Sequence, residues 1–409
     1  MKYVIIGNSA AGIAAAEGIR SADKTGEITI VSDEKYHTYG RPLISYYLLG
    51  KTDRGRMRYR PADFYQKNGV SPLFGVRAEK IDAQKKQVFL SDKRVLPYDK
   101  LLIATGSRPF LPPMEGMEGV KNKFSFMTLA DALSLEKVLS RKKKVLIVGA
   151  GLIGLKCLEG IAGRVGKVSV VDMADRVLPS ILDEEGAAIV RRELESKGAE
   201  FYLSDSVAKF EGDLARLKSG REIPFDILVV AAGVRPNTEL VQDAGGEVAR
   251  GIVTDFRGET SLKDVFAAGD CVESYDITSG RRKILALLPN AYEQGYCAGV
   301  NMAGGEAVFD RAMSLNAIGF FGSHVLTAGS YEGERILFAE GERYKKFFVK
   351  EGRLNGFILI NCPERAGIYT ALVRNGTPLS EVDFSLLEER PMLMAYPRAE
   401  REKMLSREV

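Results

Sequence analysis

The chain contains two places where a short apolar run leads directly into a glycine-rich turn. The clearer one begins at residues 145–148, Val-Leu-Ile-Val, a run of the kind found in buried strands. It continues into GAGLIG at 149–154, a helical pattern to about Arg164, and a second apolar run at 168–171 that ends in Asp172. This order of strand, glycine turn, helix, strand and acid predicts a βαβ unit with the spacing of a dinucleotide-binding fold.

Each glycine in this turn has a separate physical purpose. We expect Gly149 to make the tight turn, Gly151 to let a pyrophosphate approach the backbone, and Gly154 to let the helix pack on the strand. The N-terminus of the helix would face the phosphate charge. Asp172 would accept hydrogen bonds from a ribose diol. The residues predicted to bind NAD are Gly149, Gly151, Leu152, Ile153, Gly154 and Asp172, with Gly233 after a later strand.

A second copy of the pattern opens the chain and matches the fingerprint less strictly. Residues 2–6 form the expected strand, and GNSAAG follows at 7–12 with Ser9 in place of the middle glycine. After an alanine-rich helix and a strand at 27–31, the acids come one or two positions late. Two such units predict two bound dinucleotides. The residues predicted to bind the first of them are Gly7, Ser9, Ala10, Ala11, Gly12, Asp33 and Glu34.

Composition argues against several other classes of protein. The length of 409 residues predicts two or three domains, and a net charge of +4 is by itself too small to indicate nucleic-acid binding. No apolar run reaches membrane-spanning length, and the N-terminus enters a strand at once, so we expect a cytoplasmic protein. The four cysteines are far apart, so neither a metal site nor a disulfide framework is expected.

Three further strand-like runs end in short motifs. One leads into ATGSRP at 104–109, one into AAGVRPN at 231–237, and one into AGD at 268–270. Open α/β sheets bind their ligands at the carboxyl ends of their strands. Asp270 is therefore a candidate ligand contact.

With these motifs the chain resembles the two-dinucleotide flavoproteins of the pyridine nucleotide-disulfide oxidoreductase superfamily. The resemblance implies an α/β fold of two Rossmann-like domains, with an NAD domain inserted in an FAD domain, and a C-terminal α+β interface domain that usually mediates dimerisation. A homodimer is one expectation that follows. The implied division is 1–111 and 245–310 for the FAD domain, 112–244 for the NAD domain and 311–409 for the interface domain.

The resemblance also implies roles around the flavin. Asp270 would contact the ribityl chain, and Val76 would belong to a strand that reaches the adenine. The helix that begins near Pro289 would point its positive end at the flavin ring. The other FAD contacts implied are Arg41, Pro42, Ala104, Thr105, Gly106 and Arg108.

The segment YGRPLIS at 39–45 looks like the YxRPxLS segment of rubredoxin reductases, ferredoxin reductases and nitrite reductase large subunits. Disulfide reductases carry a cysteine pair in this region, whereas this chain has Pro42 there and no cysteine before Cys157. Thiolate chemistry on the flavin face is therefore not expected. Many relatives pair a helix glutamate with a lysine, and here those positions hold Lys156 and Tyr46. Lys156 is thus a candidate catalytic residue near the flavin, or else a solvated helix residue.

Together these features predict an FAD-dependent oxidoreductase that prefers NADH, because Asp172 would repel the 2′-phosphate of NADPH. The expected acceptor is a small acidic iron protein, rubredoxin or ferredoxin. One alternative is a cysteine-free NADH oxidase or NADH:acceptor reductase, including a subunit that feeds a larger complex. Another is a redox-sensing flavoprotein with slow turnover.

Arginines at alternating positions follow the YGRPLIS segment. Arg54, Arg56, Arg58 and Arg60 would form a docking site for an acidic partner if this stretch is extended, and would scatter if it coils. A solvated loop is the alternative. The charged end of the chain, 398–409, is expected to be a mobile tail.

Overall fold

The computed structural model describes residues 1–406, and its contacts divide the chain into two compact units. The first unit comprises Met1–Asp175, Gly198–Tyr275 and Arg282–Ala312. The second comprises Arg176–Lys197, Asp276–Arg281 and the residues from Met313 on.

The first unit contains a five-stranded parallel sheet that begins with the N-terminal strand. Its strands, in spatial order, are β18 (Val265–Ala267), β7 (Lys100–Ile103), β1 (Lys2–Ile6), β2 (Glu27–Ser32) and β3 (Val70–Phe74). Because side chains alternate along a strand, Tyr3 and Ile5 enter one buried cluster while Val4 and Ile6 enter another. Both faces of the sheet are therefore covered, as parallel sheets require.

Two helices pack closely on one face of this sheet. They are α1 (Ala10–Ala22) and α8 (Leu288–Met302), which share the cluster around Tyr3 and Ile5. A Cβ on Gly295 of α8 would lie 2.1 Å from the carbonyl oxygen of Ala11, so only glycine permits this approach. The opposite cluster includes the short helix α7 (Glu239–Asp243) through the fully buried Val241.

A second five-stranded parallel sheet contains the other glycine motif. Its strands, in spatial order, are β12 (Ala199–Tyr202), β11 (Lys167–Val171), β10 (Lys144–Val148), β16 (Ile227–Val230) and β9 (Lys123–Phe124). The helix α5 (Leu152–Ile161) follows the glycine turn and extends as a 3₁₀ turn, Ala162–Arg164. The doubly repeated βαβ prediction is thus confirmed, with boundaries within three residues of those expected.

Smaller elements complete the first unit. Each parallel sheet is accompanied by a three-stranded antiparallel sheet, β4 (Ala78–Asp82), β5 (Gln87–Leu90) and β6 (Val95–Pro97) in one case and β13 (Val207–Glu211), β14 (Leu214–Leu217) and β15 (Glu222–Pro224) in the other. A ribbon pairs β8 (Ser107–Pro109) with β17 (Val234–Pro236), and another pairs β19 (Glu273–Asp276) with β20 (Arg281–Ile284), whose residues Asp276–Arg281 are counted with the second unit. The remaining helices are α2 (Ile44–Leu48), α3 (Phe64–Lys67) and α4 (Leu129–Glu136).

The second unit is built on one antiparallel sheet. Its strands, in spatial order, are β21 (Leu315–Phe320), β22 (Ser323–Gly329), β25 (Arg353–Ile360), β24 (Arg343–Lys350) and β23 (Glu334–Glu340). Its helices are α6 (Glu184–Ser196), α9 (Gly367–Asn375), α10 (Phe384–Glu389) and α11 (Arg398–Ser406). The predicted tail is therefore helical and exposed over α11, and residues 407–409 lie outside the described part of the chain.

Candidate functional site

The first glycine turn leaves a backbone cradle at the start of α1. Gly7 has a φ of +125°, and a Cβ there would lie 2.0 Å from the carbonyl oxygen of Ala104, so glycine is required. Ser9 is the N-cap residue of α1, but its side chain makes no capping hydrogen bond. The first backbone N–H groups of the helix, including those of Ala10 and Ala11, are therefore available to an anion. Gly12 allows the helix to start there, because a Cβ would lie 1.9 Å from the carbonyl oxygen of Gly7.

The second glycine turn repeats this geometry at the start of α5. Gly149 has a φ of +119°, and a Cβ there would lie 2.2 Å from the carbonyl oxygen of Ala231. A Cβ on Gly154 would lie 2.0 Å from the carbonyl oxygen of Gly149. Gly151 differs from both, because a Cβ there would meet no atom within 4 Å. Open space above Gly151 is what close approach of a pyrophosphate needs, and Leu152 and Ile153 form the first helical turn beside it.

Asp172 lies directly after β11 and faces the second turn. One carboxylate oxygen accepts a hydrogen bond from the N–H of Ala150 at 2.6 Å, and the other accepts one from the N–H of Ala174 at 2.8 Å. The acid is thus held at the mouth of the glycine turn, where the ribose of a dinucleotide would lie.

The two acids after β2 are used differently. Glu34 forms an ion pair with Arg41 at 2.5 Å and accepts a hydrogen bond from the hydroxyl of Tyr39 at 2.7 Å. Tyr39 in turn accepts a hydrogen bond from the N–H of Leu129 at 2.9 Å. Glu34 therefore orients Arg41, whereas Asp33 is exposed at the strand end. We predicted both acids as ligand contacts, and the Tyr39 link was not foreseen.

Asp270 follows β18 and is half-buried. Burial raises the pKa of its carboxyl group, while the positive charge of Arg41 acts in the opposite direction. Asp270 and Arg41 are therefore close enough for their charges to interact. Beside Asp270, the N–H of Gly269 donates to the side-chain oxygen of Gln294 on α8 at 2.8 Å. Pro289 lies in the first turn of α8, whose N-cap residue Leu287 offers no side-chain cap.

The ATG and AAG motifs meet in the ribbon of β8 and β17. The Thr105 hydroxyl donates to the Asn237 carbonyl at 2.7 Å, and the Asn237 side chain donates back to the Thr105 carbonyl at 2.9 Å. Arg108 donates to the Asn237 side chain at 2.8 Å and pairs with Glu239 at 2.6 Å. These contacts tie Thr105 and Arg108 into the ribbon, with Gly106 between them, and Gly233 precedes the partner strand. The matching GxRP sequences were the signal for this pairing, which we had not predicted.

The structure corrects the expectation that Val76 lies in a strand. It lies in the connection between β3 and β4, where its N–H donates to the carbonyl of Ser32 at 2.9 Å. Pro42 lies in a 3₁₀ turn, Arg41–Leu43, that leads directly into α2.

Lys156 lies where α2 packs on α5, and it is not a solvated residue. Its side chain is 17% exposed, and its ammonium nitrogen lies 4.5 Å from the ring centroid of Tyr46. It also pairs with Glu159, which is buried at 3% exposure. The two positions where the sequence departs from its relatives are therefore in contact. Glu159 was missed, although opposite charges three residues apart on a helix were the available signal.

All four cysteines are free and buried. Burial raises the pKa of the thiols of Cys271 and Cys297 to about 11, and it also raises that of Cys157. Since the thiolate is the reactive form, these groups are unsuited to exchange with a disulfide substrate. Within residues 1–406, no cluster of three or more potential metal ligands and no membrane-spanning helix occurs.

The residues at both cradles fit two dinucleotides. At each cradle the first and last glycines let segments of the protein backbone lie closer together than any Cβ would allow, which forms the tight turn. At the first, the Asp270 carboxylate makes no hydrogen bond with the protein within residues 1–406, so it suits a ribityl hydroxyl. At the second, Gly151 lies under open space beside the fixed carboxylate of Asp172. The fold and these cradles define a two-dinucleotide oxidoreductase of the α/β class.

Comparison with known proteins agrees with this class. The family model for pyridine nucleotide-disulphide oxidoreductases matches residues 1–295. The chain is 30% identical over 392 residues to the NADH-dependent phenylglyoxylate dehydrogenase subunit epsilon of Aromatoleum evansii, covering 93% of each chain. It is 34% identical over 323 residues to the NADH oxidase of Methanocaldococcus jannaschii, covering 76% of this chain and 71% of that protein.

Among solved structures, a chain of the covalent putidaredoxin reductase–putidaredoxin complex superimposes with a TM-score of 0.88 at 25% identity, covering 99% of this chain and 98% of that one. The protein therefore belongs to the pyridine nucleotide-disulphide oxidoreductase family. It is an FAD-dependent oxidoreductase that uses NADH.

Proposed function

We propose that this protein passes electrons from NADH through FAD to a small iron protein of the rubredoxin or ferredoxin type. Bound FAD would supply the redox chemistry, since a flavin accepts a hydride and releases electrons singly. The observation that carries the proposal is the burial of all four cysteines. Burial keeps all four side chains from solvent and raises the pKa of the thiols of Cys157, Cys271 and Cys297, which argues against a thiol route from the flavin to an acceptor. Structural similarity to a chain from a reductase–iron-protein complex supports the choice of acceptor.

The side chains around the first cradle would bind and orient the flavin. Arg41, fixed by Glu34, offers a positive charge, and Asp270 offers an acceptor for hydroxyl groups. The N-terminus of α8 would place its positive end toward an anionic ring. We further propose that the pair of Lys156 and Glu159, held beside Tyr46, lies near this site, where Lys156 offsets the negative charge of Glu159. Lys156→Met should then lower the flavin reduction potential and slow bleaching by NADH, and unchanged values would assign Lys156 to packing alone.

The second cradle would bind NADH. We propose Gly149, Gly151, Leu152, Ile153, Gly154 and Gly233 as its contacts, with Asp172 on the adenosine ribose. For the FAD cradle we propose Gly7, Ser9, Ala10, Ala11, Gly12, Asp33, Glu34, Arg41, Pro42, Val76, Ala104, Thr105, Gly106, Arg108, Asp270 and Pro289. We also propose the domain division given by the sequence, with 1–111 and 245–310 in the FAD domain, 112–244 in the NAD domain and 311–409 in the interface domain.

An anaerobic experiment tests the function. The purified holoprotein is reduced with NADH until the flavin absorbance bleaches, and rubredoxin, ferredoxin, oxygen and a disulfide are then offered separately. We expect rapid reoxidation by at least one iron protein and little by the disulfide. Slow reoxidation by both iron proteins together with fast reoxidation by oxygen would replace the proposal by an NADH oxidase.

Two relatives favour a second candidate. One is an NADH oxidase, and the other is a subunit of an NADH-dependent dehydrogenase. An NADH:acceptor reductase subunit would bleach with NADH but transfer electrons only to its own complex. Failure of rubredoxin, ferredoxin and oxygen alike to reoxidise the flavin would therefore favour the subunit.

We also propose a cytoplasmic homodimer. Strand β23 forms one edge of the second unit's sheet, and Leu337 and Phe338 on it are 52% and 45% exposed. Exposed apolar residues on a sheet edge are typical of a contact surface. Light scattering on the wild type and on Leu337→Lys would test the dimer, which the variant should weaken.

A further inference from the structure

The segment 51–58 forms a compact loop beside Arg41, and we refer to it as the basic loop. It is anchored by Met57, which is fully buried. The N–H of Met57 donates to the carbonyl of Asp53 at 3.0 Å, and the carbonyl of Met57 accepts from the N–H of Gly40 at 2.8 Å. A backbone bridge also joins Arg58 to Tyr39. The loop is therefore fixed to the segment that contains Arg41.

The arginines in and after this loop differ in what neutralises them. Arg56 pairs with Asp53 at 2.7 Å. Arg60 donates two hydrogen bonds to Glu17, at 2.6 and 2.9 Å, and is half-buried. Neither of these two offers a free charge to a partner. Of the two alternatives for this stretch, the structure shows the coil, so the four arginines do not act as one surface: the loop coils around Met57, and Arg60 turns inward to Glu17.

Three cations of the basic loop remain exposed without a neutralising acid. They are Lys51, Arg54 and Arg58. Within residues 1–406, none of the three has a carboxylate oxygen within 4.0 Å. A cluster of such charges produces a positive potential that reaches into solvent, whereas a paired charge produces little.

Aromatic rings lie within cation–π distance of two of these cations. The Arg54 guanidinium lies 5.7 Å from the ring centroid of Tyr36, and the Lys51 ammonium lies 5.8 Å from that of Tyr46. Stacking on a ring leaves the donors of a cation available while limiting its rotamers. Less side-chain entropy is then lost when a partner binds.

We propose that Lys51, Arg54 and Arg58 form the docking surface for the acidic iron protein that accepts electrons. The inference rests on the proposed function. Arg58 is bridged to Tyr39, whose hydroxyl bonds to the same Glu34 that holds Arg41. A partner on the basic loop would therefore lie beside the segment assigned to the flavin. Charge complementarity selects an acidic partner, since the surface offers three positive charges and no exposed acid but the paired Asp53.

The test compares two double variants of the holoprotein that change its net charge equally. R54E/R58E reverses two unpaired charges of the basic loop. The matched control, K93E/K218E, reverses two exposed lysines on the turns after β5 and β14. Three rates are measured for each: flavin bleaching by NADH, reduction of the uncharged acceptor benzoquinone, and reduction of an acidic [2Fe–2S] ferredoxin over a range of ferredoxin concentrations.

We expect R54E/R58E to raise the KM for ferredoxin about tenfold at low ionic strength, because steering by charge accelerates association by one to three orders of magnitude. Bleaching, benzoquinone reduction and the kcat for ferredoxin should stay unchanged. The control should leave the KM within about twofold. Raising the salt should bring wild type and R54E/R58E together, since the Debye length falls from about 30 Å at 0.01 M to about 3 Å at 1 M.

The possible failures are distinguishable. An unchanged KM in R54E/R58E, with ferredoxin still reduced, would overturn the docking surface and leave the proposed function standing. A wild type that reduces benzoquinone but no iron protein would overturn the proposed function and the docking surface with it. If the variant does not fold, the salt dependence of the wild type decides, because a KM for ferredoxin that ignores salt excludes docking through exposed charges.

Discussion

The carboxylate of Asp172 accepts a hydrogen bond from the backbone N–H of Ala150 at 2.6 Å, so the acid that ends β11 is joined to the glycine turn that begins α5. A second hydrogen bond, from the N–H of Ala174 at 2.8 Å, fixes the other carboxylate oxygen. The negative charge therefore has one position at the mouth of the turn. A 2′-hydroxyl can donate to it, whereas a 2′-phosphate would be repelled.

NADH should accordingly be preferred over NADPH, and Asp172→Ser should reduce that preference. We expect the ratio of kcat/KM for NADH to that for NADPH to fall by about tenfold, equivalent to ~1.4 kcal/mol. Glu200→Gln is the control, because Glu200 lies on the neighbouring strand β12 and is paired with Lys167. Steady-state rates with both donors measure the ratio. A wild type that uses NADPH as well as NADH would refute the role of Asp172.

Both glycine turns were predictable because each is a local pattern. A tight turn, a helix start and a buried strand are specified by residues within about thirty positions of one another. The acids after the strands were predictable for the same reason. That Glu34 pairs with Arg41 and Tyr39 was not, because both acids after β2 have the right spacing and only the folded loop distinguishes them.

Contacts between distant segments could not be derived from the pattern. Lys156 meets Tyr46 because α2 packs on α5, and Thr105 meets Asn237 because two ribbon strands pair across more than a hundred residues. The basic loop illustrates the same limit. Alternating arginines are compatible with a strand or a coil, and the burial of Met57, which lies between two of them, decides for a coil.

Asp270→Ala should weaken retention of FAD. The carboxylate is half-buried. Loss of its hydrogen bond to an FAD hydroxyl would weaken the binding of FAD by about 1.5–3 kcal/mol, or roughly ten- to a hundredfold in affinity. The flavin-to-protein ratio after dialysis measures the effect. Asp264→Asn is the matched control, since Asp264 directly precedes the same strand and pairs with Lys86 and Lys100. Equal flavin loss in both variants would point to general destabilisation instead.

Replacing all four cysteines by alanine should leave bleaching by NADH intact. Each side chain is buried, and the Cys271 thiol donates to the backbone carbonyls of Ile103 and Ala268. We expect a loss of stability from the small cavities, on the order of 1 kcal/mol each, without a change in the rate constant for flavin reduction. Stopped-flow bleaching of the folded variant measures that rate. A large decrease would reveal a thiol role that the structure does not suggest.

The last prediction concerns Lys346 on β24, a buried lysine of the second unit. Its ammonium group lies 2.6 Å from carboxylate oxygens of both Asp183 and Glu185, and its side chain is 7% exposed. Tyr344 also donates to Asp183, at 2.8 Å. Lys346→Met leaves these acids without their cation. We expect a loss of about 2 kcal/mol, below the usual 3–5 kcal/mol for a broken buried pair, because Glu185 is 59% exposed.

The pH dependence of this loss follows from the direction of the pKa shift of Asp183. Burial raises the pKa of that carboxyl group. Hydrogen bonds from Lys346 and Tyr344 lower the pKa by more than burial raises it, so the net pKa is below the ordinary value. The contribution of Asp183 to the free energy of unfolding is therefore complete above about pH 3.9, the pKa of an aspartate in the unfolded chain. It is lost as the pH falls through the lower pKa of Asp183 in the folded protein. The difference in Tm between wild type and Lys346→Met should be constant near neutrality and shrink in acid. Lys350→Met is the control on the same strand, where the pair with Glu332 at 2.9 Å is exposed and should contribute little to stability. Equal decreases in Tm in the two variants would mean that burial of Lys346 does not increase the stability that its ion pairs contribute.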